Sequence, residues 1–433
     1  MGESIKITVK KAERLSGTIT IPSDKSISHR SAMFTALTGG RVTVDNFSAG
    51  ADCRSTLKII QKLGCDVKFL SEKKILIDAS NSFQNKEFEL DCGNSGTTMR
   101  LMSGLLAPIE GTYTLFGDSS LSKRPMKRVI EPLELMDANI SHNDFKAPLK
   151  ITGTDLHPIT YSSKIASAQV KSCVLLAGLN TEGTTIFEEP YLSRDHTERM
   201  LKYLGANIET DKTITRISKS KLEPKDISVC GDISSAAFFL VAGAIVPNSE
   251  IVLKNVGLNP TRTGIIDVLK NMGANLEILN QQTVSGEEVG DIKISYSELK
   301  ATTIEGEIIP RLIDEIPVIA VLATHAVGTT VIKDAQDLRN KESDRITCLV
   351  RELKKIGANI EETPDGMIIL GRSNLTVESA LRGNALVECC HDHRLAMSLY
   401  VAGLVCKQPV IINDFQWVDI SFPEFLILMD ELK

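Results

Sequence analysis

Six repeats of one α/β unit, arranged as two domains, are what this sequence predicts, and three observations predict them. A short phrase returns five times: Leu63-Gly64-Cys65-Asp66-Val67, Met136-Asp137-Ala138-Asn139-Ile140, Leu204-Gly205-Ala206-Asn207-Ile208, Met272-Gly273-Ala274-Asn275-Leu276 and Ile356-Gly357-Ala358-Asn359-Ile360. The second positions of the phrase lie 73, 68, 68 and 84 residues apart. Between the phrases stand six apolar, Ala/Gly/Ser-rich stretches with polar starts: Ser26–Leu37, Ser95–Ala107, Ala166–Gly178, Asp232–Ala244, Asp314–Ala326 and Asp392–Gly403. Most are followed by a strand-like Gly-Thr-Thr-x-Ile, and 433 residues divided by six gives about 72, which agrees with the spacing.

Each element has a local reason. The phrase closes an amphipathic helix, with Gly at the position that leaves the helix in a left-handed conformation and a strand after it. Arg199–Gly205 and Thr263–Gly273 show the pattern most clearly. The apolar stretches are hydrophobic on all sides, as a fully buried helix is. Each repeat therefore reads as one buried helix, one strand, one amphipathic helix and more strand. Strand Ile5–Val9 has no helix before it, and the final helix Pro423–Leu432 has no strand after it, so the N-terminal strand is expected to complete the sixth repeat. Three repeats would form one domain over residues 22–226. The other three, 227–433 together with 1–21, would form the second, with the ligand site in the cleft between them.

Composition narrows the class. The chain is 42% hydrophobic and 24% charged with a formal charge of −6, which excludes disorder and argues against a nucleic-acid coat. No apolar stretch reaches the ~20 residues of a membrane helix. Nine cysteines without a CxxC pair point to free thiols in a reducing cytoplasm. Neither a nucleic-acid nor a membrane partner is expected.

The starts of the buried helices carry side chains that a core helix does not need. A helix N-terminus exposes unpaired N–H groups and a partial positive charge, so it attracts anions. Lys25, Ser26 and Arg30 open the first; an anion cradle or an N-cap with two surface cations would both read this way. Gly93-Asn94-Ser95-Gly96 opens the second, with Arg100 on the first turn, where the helix dipole disfavours a cation. Lys123-Arg124-Pro125-Met126-Lys127-Arg128 packs four cations into six residues, either a carboxylate or phosphate binder or a solvated run. Ser120-x-x-Lys123 fits an acylating SxxK pattern but lacks its companion motifs. Ser167-Ala168-Gln169 and Ser193-Arg194-Asp195-His196 supply neutral donors and a further cation. Asp314-Glu315 starts the fifth helix. Lys341-Glu342 suggests acid–base work or an exposed ion-pair network. Cys389-Cys390-His391-Asp392-His393-Arg394 lacks the spacing of a zinc site, so Asp392 reads as an N-cap and Arg394 as a cleft residue. Capping alone does not predict arginine on the first turn of so many buried helices.

Five ordered motifs then carry a resemblance: Asp24-Lys25-Ser26-Ile27-Ser28-His29-Arg30, Gly93-Asn94-Ser95-Gly96-Thr97-Thr98-Met99-Arg100, Arg124-Pro125-Met126, Lys341-Glu342-Ser343-Asp344-Arg345 and Asp392-His393-Arg394. Over nearly its whole length the chain resembles the 5-enolpyruvylshikimate-3-phosphate synthases, and Ile165–Lys171 and Ser193–Thr197 are similar to the class II bacterial branch. The resemblance implies the α/β two-domain enolpyruvyl transferase fold, six βαβαββ-type units with three per domain and the active site in the interdomain cleft. It implies transfer of the enolpyruvyl group of phosphoenolpyruvate to the 5-hydroxyl of shikimate-3-phosphate, through a tetrahedral adduct that loses phosphate. No cofactor and no metal are implied, and a monomer is expected.

By the same resemblance, Lys25, Ser26, Arg30, Ser167, Ala168, Gln169, Arg194, Asp314 and Lys341 would hold shikimate-3-phosphate. Lys25, Asn94, Gly96, Arg124, Gln169, Glu342, Arg345 and Arg394 would hold phosphoenolpyruvate. Asp314 would deprotonate the hydroxyl, with Glu342 and Lys25 sharing the proton traffic at C3. Gly96 leaves room for glyphosate as a competitor of phosphoenolpyruvate. Two positions depart from the pattern: Ser23 stands where a glycine is common, and Ile420 stands near a lysine of the family. The alternatives are a UDP-N-acetylglucosamine enolpyruvyl transferase, whose loop cysteine is absent from Gly111–Lys123, and a non-catalytic anion-binding protein of the same fold.

Overall fold

The structure is a computed structural model that describes residues 4–48, 50–84, 86–373 and 381–433. Two compact units divide the chain. The first holds Ser23–Cys230 with Thr283–Glu287; the second holds Met1–Pro22, Gly231–Gln282 and Glu288–Lys433.

The second repeat shows the plan. Strand Glu87–Asp91 leads into the buried helix Gly96–Leu106, and strand Thr112–Phe116 returns parallel to the first. A parallel pair needs a crossover, and the buried helix supplies it. The amphipathic helix Lys127–Leu135 follows, and the hairpin Asn139–Asn143 and Lys146–Thr152 completes a four-stranded sheet by antiparallel pairing. The third and fifth repeats use the same strand order.

The other three repeats borrow a strand. Ile227–Ser228 runs parallel to Arg41–Asp45 in the first repeat. Ser16–Thr20 runs parallel to Glu250–Gly257 in the fourth. Ile7–Val9 pairs antiparallel with Val410–Asn413 in the sixth. The N-terminal segment therefore serves two sheets, whereas the sequence pattern suggested only the sixth; Ser16–Thr20 is short and Gly/Thr-rich, which hid it.

The repeated phrase does what its glycines predict. Gly64, Gly205, Gly273 and Gly357 have φ between +85° and +103°, and Asp137 has +66°, each just past the end of an amphipathic helix. The helix starts are capped by short polar side chains. Asp24 Oδ1 accepts from Ile27 N at 2.8 Å, Ser95 Oγ from Thr98 N at 3.1 Å, and Asp392 Oδ1 from Arg394 N at 2.9 Å.

Buried helices fill the centre of each unit. In the second unit Ile233–Ile245, Ile316–Ala323 and His393–Gly403 pack on one another. An aromatic cluster of Phe239, Tyr400, Phe415, Phe422 and Phe425 closes that core. In the first unit Gly96–Leu106 packs against Ala168–Gly178 so closely that a Cβ at Gly104 would lie 2.0 Å from the Cys173 carbonyl oxygen.

The fifth buried helix differs from its expected span. A short helix Ile309–Leu312 precedes a turn, and the main helix begins at Ile316. Pro317 is confined to the first helical turn because it lacks an N–H, so it sets the start there. Asp314 thus lies in the turn, and Glu315 is the N-cap residue. Among the described residues no helix is long and apolar enough to cross a membrane.

Candidate active site

Each unit gathers one array of charged side chains at the starts of its buried helices. In the first unit Lys25 is the first residue of helix Lys25–Thr35, and its ammonium is paired with Asp52, in the first turn of the neighbouring helix Ala51–Lys62. Burial alone would raise the Asp52 carboxyl, but Lys25, with smaller contributions from His29 and Arg124, holds it below the ordinary range. Arg124 Nη2 donates to Asn94 Oδ1 at 2.7 Å, and Asn94 Nδ2 donates to Asp118 Oδ2 at 2.8 Å. Asp118 in turn accepts from the N–H groups of Ser120 and Leu121, which fixes the basic loop.

Arg100 and Gln169 join two buried helices. Arg100 Nη1 donates to Gln169 Oε1 at 2.8 Å, and Gln169 Nε2 donates to Thr97 Oγ1 at 3.0 Å. Burial, with Arg128 and Arg124 nearby, pulls the Arg100 guanidinium down to about 10. Among the described residues its Nε has no hydrogen-bond partner. Gly96 stands against this group: a Cβ there would lie 2.7 Å from Arg100 Nη1 and 3.5 Å from Arg124 Nη1. Three arginines that repel one another at a helix start form a place for an anion.

Behind this array lies a buried polar layer. His29 Nδ1 lies 2.7 Å from Thr56 Oγ1, which lies 2.8 Å from Thr98 Oγ1, so three helices share one hydrogen-bond chain. Arg30 is only 3% exposed, and it donates to Thr197 Oγ1, Ser26 O and Ser172 Oγ. Three of its five N–H groups therefore serve the fold, which the sequence pattern did not suggest. Lys171 is fully buried between Glu189 and Glu198 at 2.7 and 2.8 Å, and it donates to Ser193 O at 3.1 Å. Ser193 N donates to Glu189 Oε1 at 2.9 Å, so this triad pins the segment that carries Arg194. Ser167 is the N-cap residue of helix Ala168–Gly178 and makes no side-chain cap bond.

In the second unit the array centres on Arg345, 1% exposed at the start of helix Arg345–Lys355. Its three nitrogens each face a different carboxylate: Nε to Asp392 at 2.7 Å, Nη1 to Asp314 at 3.3 Å and Nη2 to Glu342 at 2.6 Å. Lys341 Nζ lies 3.5 Å from the same Asp314 oxygen. Arg394 Nη1 donates to the Asp314 carbonyl at 3.3 Å and lies 3.9 Å from Glu315. Burial opposes ionisation of Glu342, but Arg345 and then His393 outweigh it and hold the carboxyl at about 2. His393 itself is pushed down to about 4 by burial, with Arg394 and Arg345 adding to it. The first array is rich in cations; the second gathers three carboxylates around one buried arginine.

Asp314, Lys341, Glu342, Arg345 and Arg394 are thus brought together, as are Asn94, Gly96, Arg124 and Gln169. The sequence pattern missed Asp52 and gave Asp392 only a capping role. Both act through partners far away in the chain, and no local spacing announces such a pair. Arg100 did carry a signal, a cation where the dipole disfavours one.

The family model of EPSP synthase (3-phosphoshikimate 1-carboxyvinyltransferase) matches residues 9–429. The chain belongs to the EPSP synthase family. It is 52% identical over 422 residues to a 3-phosphoshikimate 1-carboxyvinyltransferase of Bacillus pumilus, covering 96% of this chain and 97% of that one. It is 51% identical over 431 residues to the protein of that name from Bacillus subtilis, covering 98% of each. Among solved structures, EPSP synthase from Acinetobacter baumannii superposes with a TM-score of 0.90 at 39% identity, covering 99% of this chain and 98% of that one. The enolpyruvyl transferase NikO from Streptomyces tendae, at 17% identity and a TM-score of 0.79 over 100% and 98% of the two chains, shares the fold. The fold is that of the two-domain enolpyruvyl transferases, and these relatives do not favour the nucleotide-sugar alternative.

Proposed function

We propose that this EPSP synthase family member transfers the enolpyruvyl group of phosphoenolpyruvate to the 5-hydroxyl of shikimate-3-phosphate and releases inorganic phosphate. The family membership supports the reaction class, and the contrast between the two arrays supports the chemistry. Both substrates are polyanions, and the cations around Gly96 suit them. The hydroxyl oxygen adds to C2 while C3 takes a proton; phosphate then leaves and the C3 proton is withdrawn.

Residues of both arrays act on the same pair of substrates. Lys25, Ser26, Arg30, Ser167, Ala168, Gln169, Arg194, Asp314 and Lys341 bind shikimate-3-phosphate. Lys25, Asn94, Gly96, Arg124, Gln169, Glu342, Arg345 and Arg394 bind phosphoenolpyruvate. Asp314 takes the hydroxyl proton, and Lys341 steadies its charge. Glu342 and Lys25 handle the proton at C3. A Glu342 carboxyl held at about 2 by Arg345 is ionised near neutrality, so it delivers a proton only after Arg345 has turned towards the substrate carboxylate. The chain is taken to work as a cytoplasmic monomer, a setting that suits its nine free cysteines.

The test is phosphate release from phosphoenolpyruvate with shikimate-3-phosphate or UDP-N-acetylglucosamine as acceptor, each before and after EDTA. Release with shikimate-3-phosphate alone, unchanged by EDTA, is the expected result, and glyphosate should compete with phosphoenolpyruvate. Release with the nucleotide sugar, or with neither acceptor, overturns the reading.

A further inference from the structure

Seven of the nine cysteines are buried, and two are not. Burial pushes the thiols of Cys53, Cys65 and Cys406 up to about 12 and that of Cys389 to about 11, so these are inert. The half-buried pair, Cys348 and Cys390, is different. Cys348 lies one turn into helix Arg345–Lys355, and its backbone N–H donates to the Asp344 carbonyl at 3.0 Å. Cys390 lies in the turn before helix His393–Gly403, with φ of +53°. Cys348 stands one turn before Arg351 on that helix, and Arg351 Nη2 donates to Cys390 Sγ at 3.0 Å, so one guanidinium ties the helix turn that carries Cys348 to Cys390. The interaction with Cys390 outweighs burial, and with Arg351 beside it brings the Cys348 thiol down to about 7 against opposition from Asp344 and Glu352; the same interaction, with burial, pushes the Cys390 thiol up, so Cys348 is the thiol that ionises. One readily ionised thiol, a second thiol in reach and a guanidinium over both are the parts of a peroxide-reactive dithiol.

We propose that Cys348 and Cys390 are a redox modification site, oxidised by hydrogen peroxide to an intramolecular disulfide that slows the enzyme. The Cys348 thiolate attacks one peroxide oxygen; the O–O bond breaks, hydroxide leaves, and Cys348 becomes a sulfenic acid. The Cys390 sulfur then attacks the Cys348 sulfur, the S–O bond breaks, and the hydroxyl leaves as water with the Cys390 proton. Each sulfur is oxidised by one electron overall, and the peroxide is reduced to two waters. A cytoplasmic disulfide of this kind is transient and reversible by a dithiol.

The position gives the modification a consequence. Cys348 lies three residues after Arg345, and Cys390 two residues before Asp392, so the disulfide joins the same two segments as the 2.7 Å Arg345–Asp392 pair. Bonded sulfurs lie ~2.05 Å apart, closer than hydrogen-bonded thiols, so the segments must draw together. Arg345 is then held among its carboxylates when it should turn to substrate. This second half rests on the proposed function; the disulfide does not.

The experiment treats the reduced full-length protein with hydrogen peroxide, blocks remaining thiols and maps peptides without reduction. The expected result is a cross-linked Cys348–Cys390 peptide pair two hydrogens lighter than the reduced peptides, with the buried cysteines still alkylatable after unfolding. Cys348→Ser should abolish it, and Cys390→Ser should leave Cys348 to advance to sulfinic acid. Turnover should fall with the extent of cross-linking and return with dithiothreitol, and neither variant should show this reversible loss. Sulfinic acid at Cys348 of the unaltered protein without a cross-link, or a bond from either residue to another cysteine, overturns the site. Full cross-linking with unchanged turnover overturns its link to Arg345 and leaves the assigned reaction untouched.

Discussion

Gly96→Ala separates binding geometry from stability. The added Cβ would sit 2.7 Å from Arg100 Nη1, where ordinary contact begins at 3.4 Å, so the guanidinium must retreat by 0.7 Å (3.4 − 2.7). Arg100 is the far end of a flexible side chain, so it can move, but it is held by Gln169 at 2.8 Å. The same shift carried into that bond stretches it to 3.5 Å (2.8 + 0.7), beyond useful length. A hydrogen bond to a charged group is worth ~1.5–3 kcal/mol, so a partial loss of ~1.4 kcal/mol corresponds to about tenfold in an equilibrium constant. Stability should barely change, because alanine gains up to ~1 kcal/mol over glycine in a helix. Steady-state phosphate release at saturating shikimate-3-phosphate should show KM for phosphoenolpyruvate raised about tenfold, with Tm within a few degrees of the parent. An unchanged KM, or a collapse in Tm, would refute the argument. Gly104→Ala is the contrast: its Cβ would meet the Cys173 backbone at 2.0 Å, which cannot retreat, and that variant should be grossly destabilised.

Three further outcomes are expected. Asp314→Asn keeps its shape but cannot take a proton, so kcat should fall by ~10²–10⁴ while KM for phosphoenolpyruvate changes little; a pure KM effect would remove Asp314 from the base role. Lys171→Met strands the buried Glu189 and Glu198 and should cost ~3–5 kcal/mol, lowering Tm by roughly 6–20 °C in a thermal melt; an unshifted melt would sink it. Burial lowers His29 and His325 to about 3 and His393 to about 4, from 6.5. The unfolded chain therefore binds more protons between those values, and each histidine removes ~1.4 kcal/mol of stability per pH unit below about 6.5. Urea unfolding at pH 7, 6 and 5 should show that loss, and a flat profile would contradict it.

Local signals in the sequence reached far into the fold. Gly64, Gly205, Gly273 and Gly357 mark helix ends because a left-handed residue there strongly favours glycine. Asp24, Ser95 and Asp392 mark helix starts because short polar side chains cap them. Signals fail where the structure depends on distant partners. Ser16–Thr20 is a strand because Glu250–Gly257 pairs with it, and Asp52 belongs to the site because Lys25 reaches it. Arg30 carries the motif but spends three donors on the interior. In the fifth repeat the expected helix overran the turn that Pro317 enforces, and that turn is what places Asp314 beside Lys341 and Arg345.

The borrowed strands set an order of assembly during synthesis. Nearly all of the first unit is one run, Ser23–Cys230, with its borrowed strand Ile227–Ser228 at the end of that run. It can reach its core contacts while the ribosome is still translating the remainder. The second unit cannot: Val9 waits for Val410, and Thr18 for Val252. Ile7–Val9 and Ser16–Thr20, which are made before the first unit, are therefore among the last segments to be fixed. Until then the edge of Ile7–Val9 is open to wrong partners, so a chain truncated shortly before Val410 should yield a folded first unit joined to a protease-sensitive remainder.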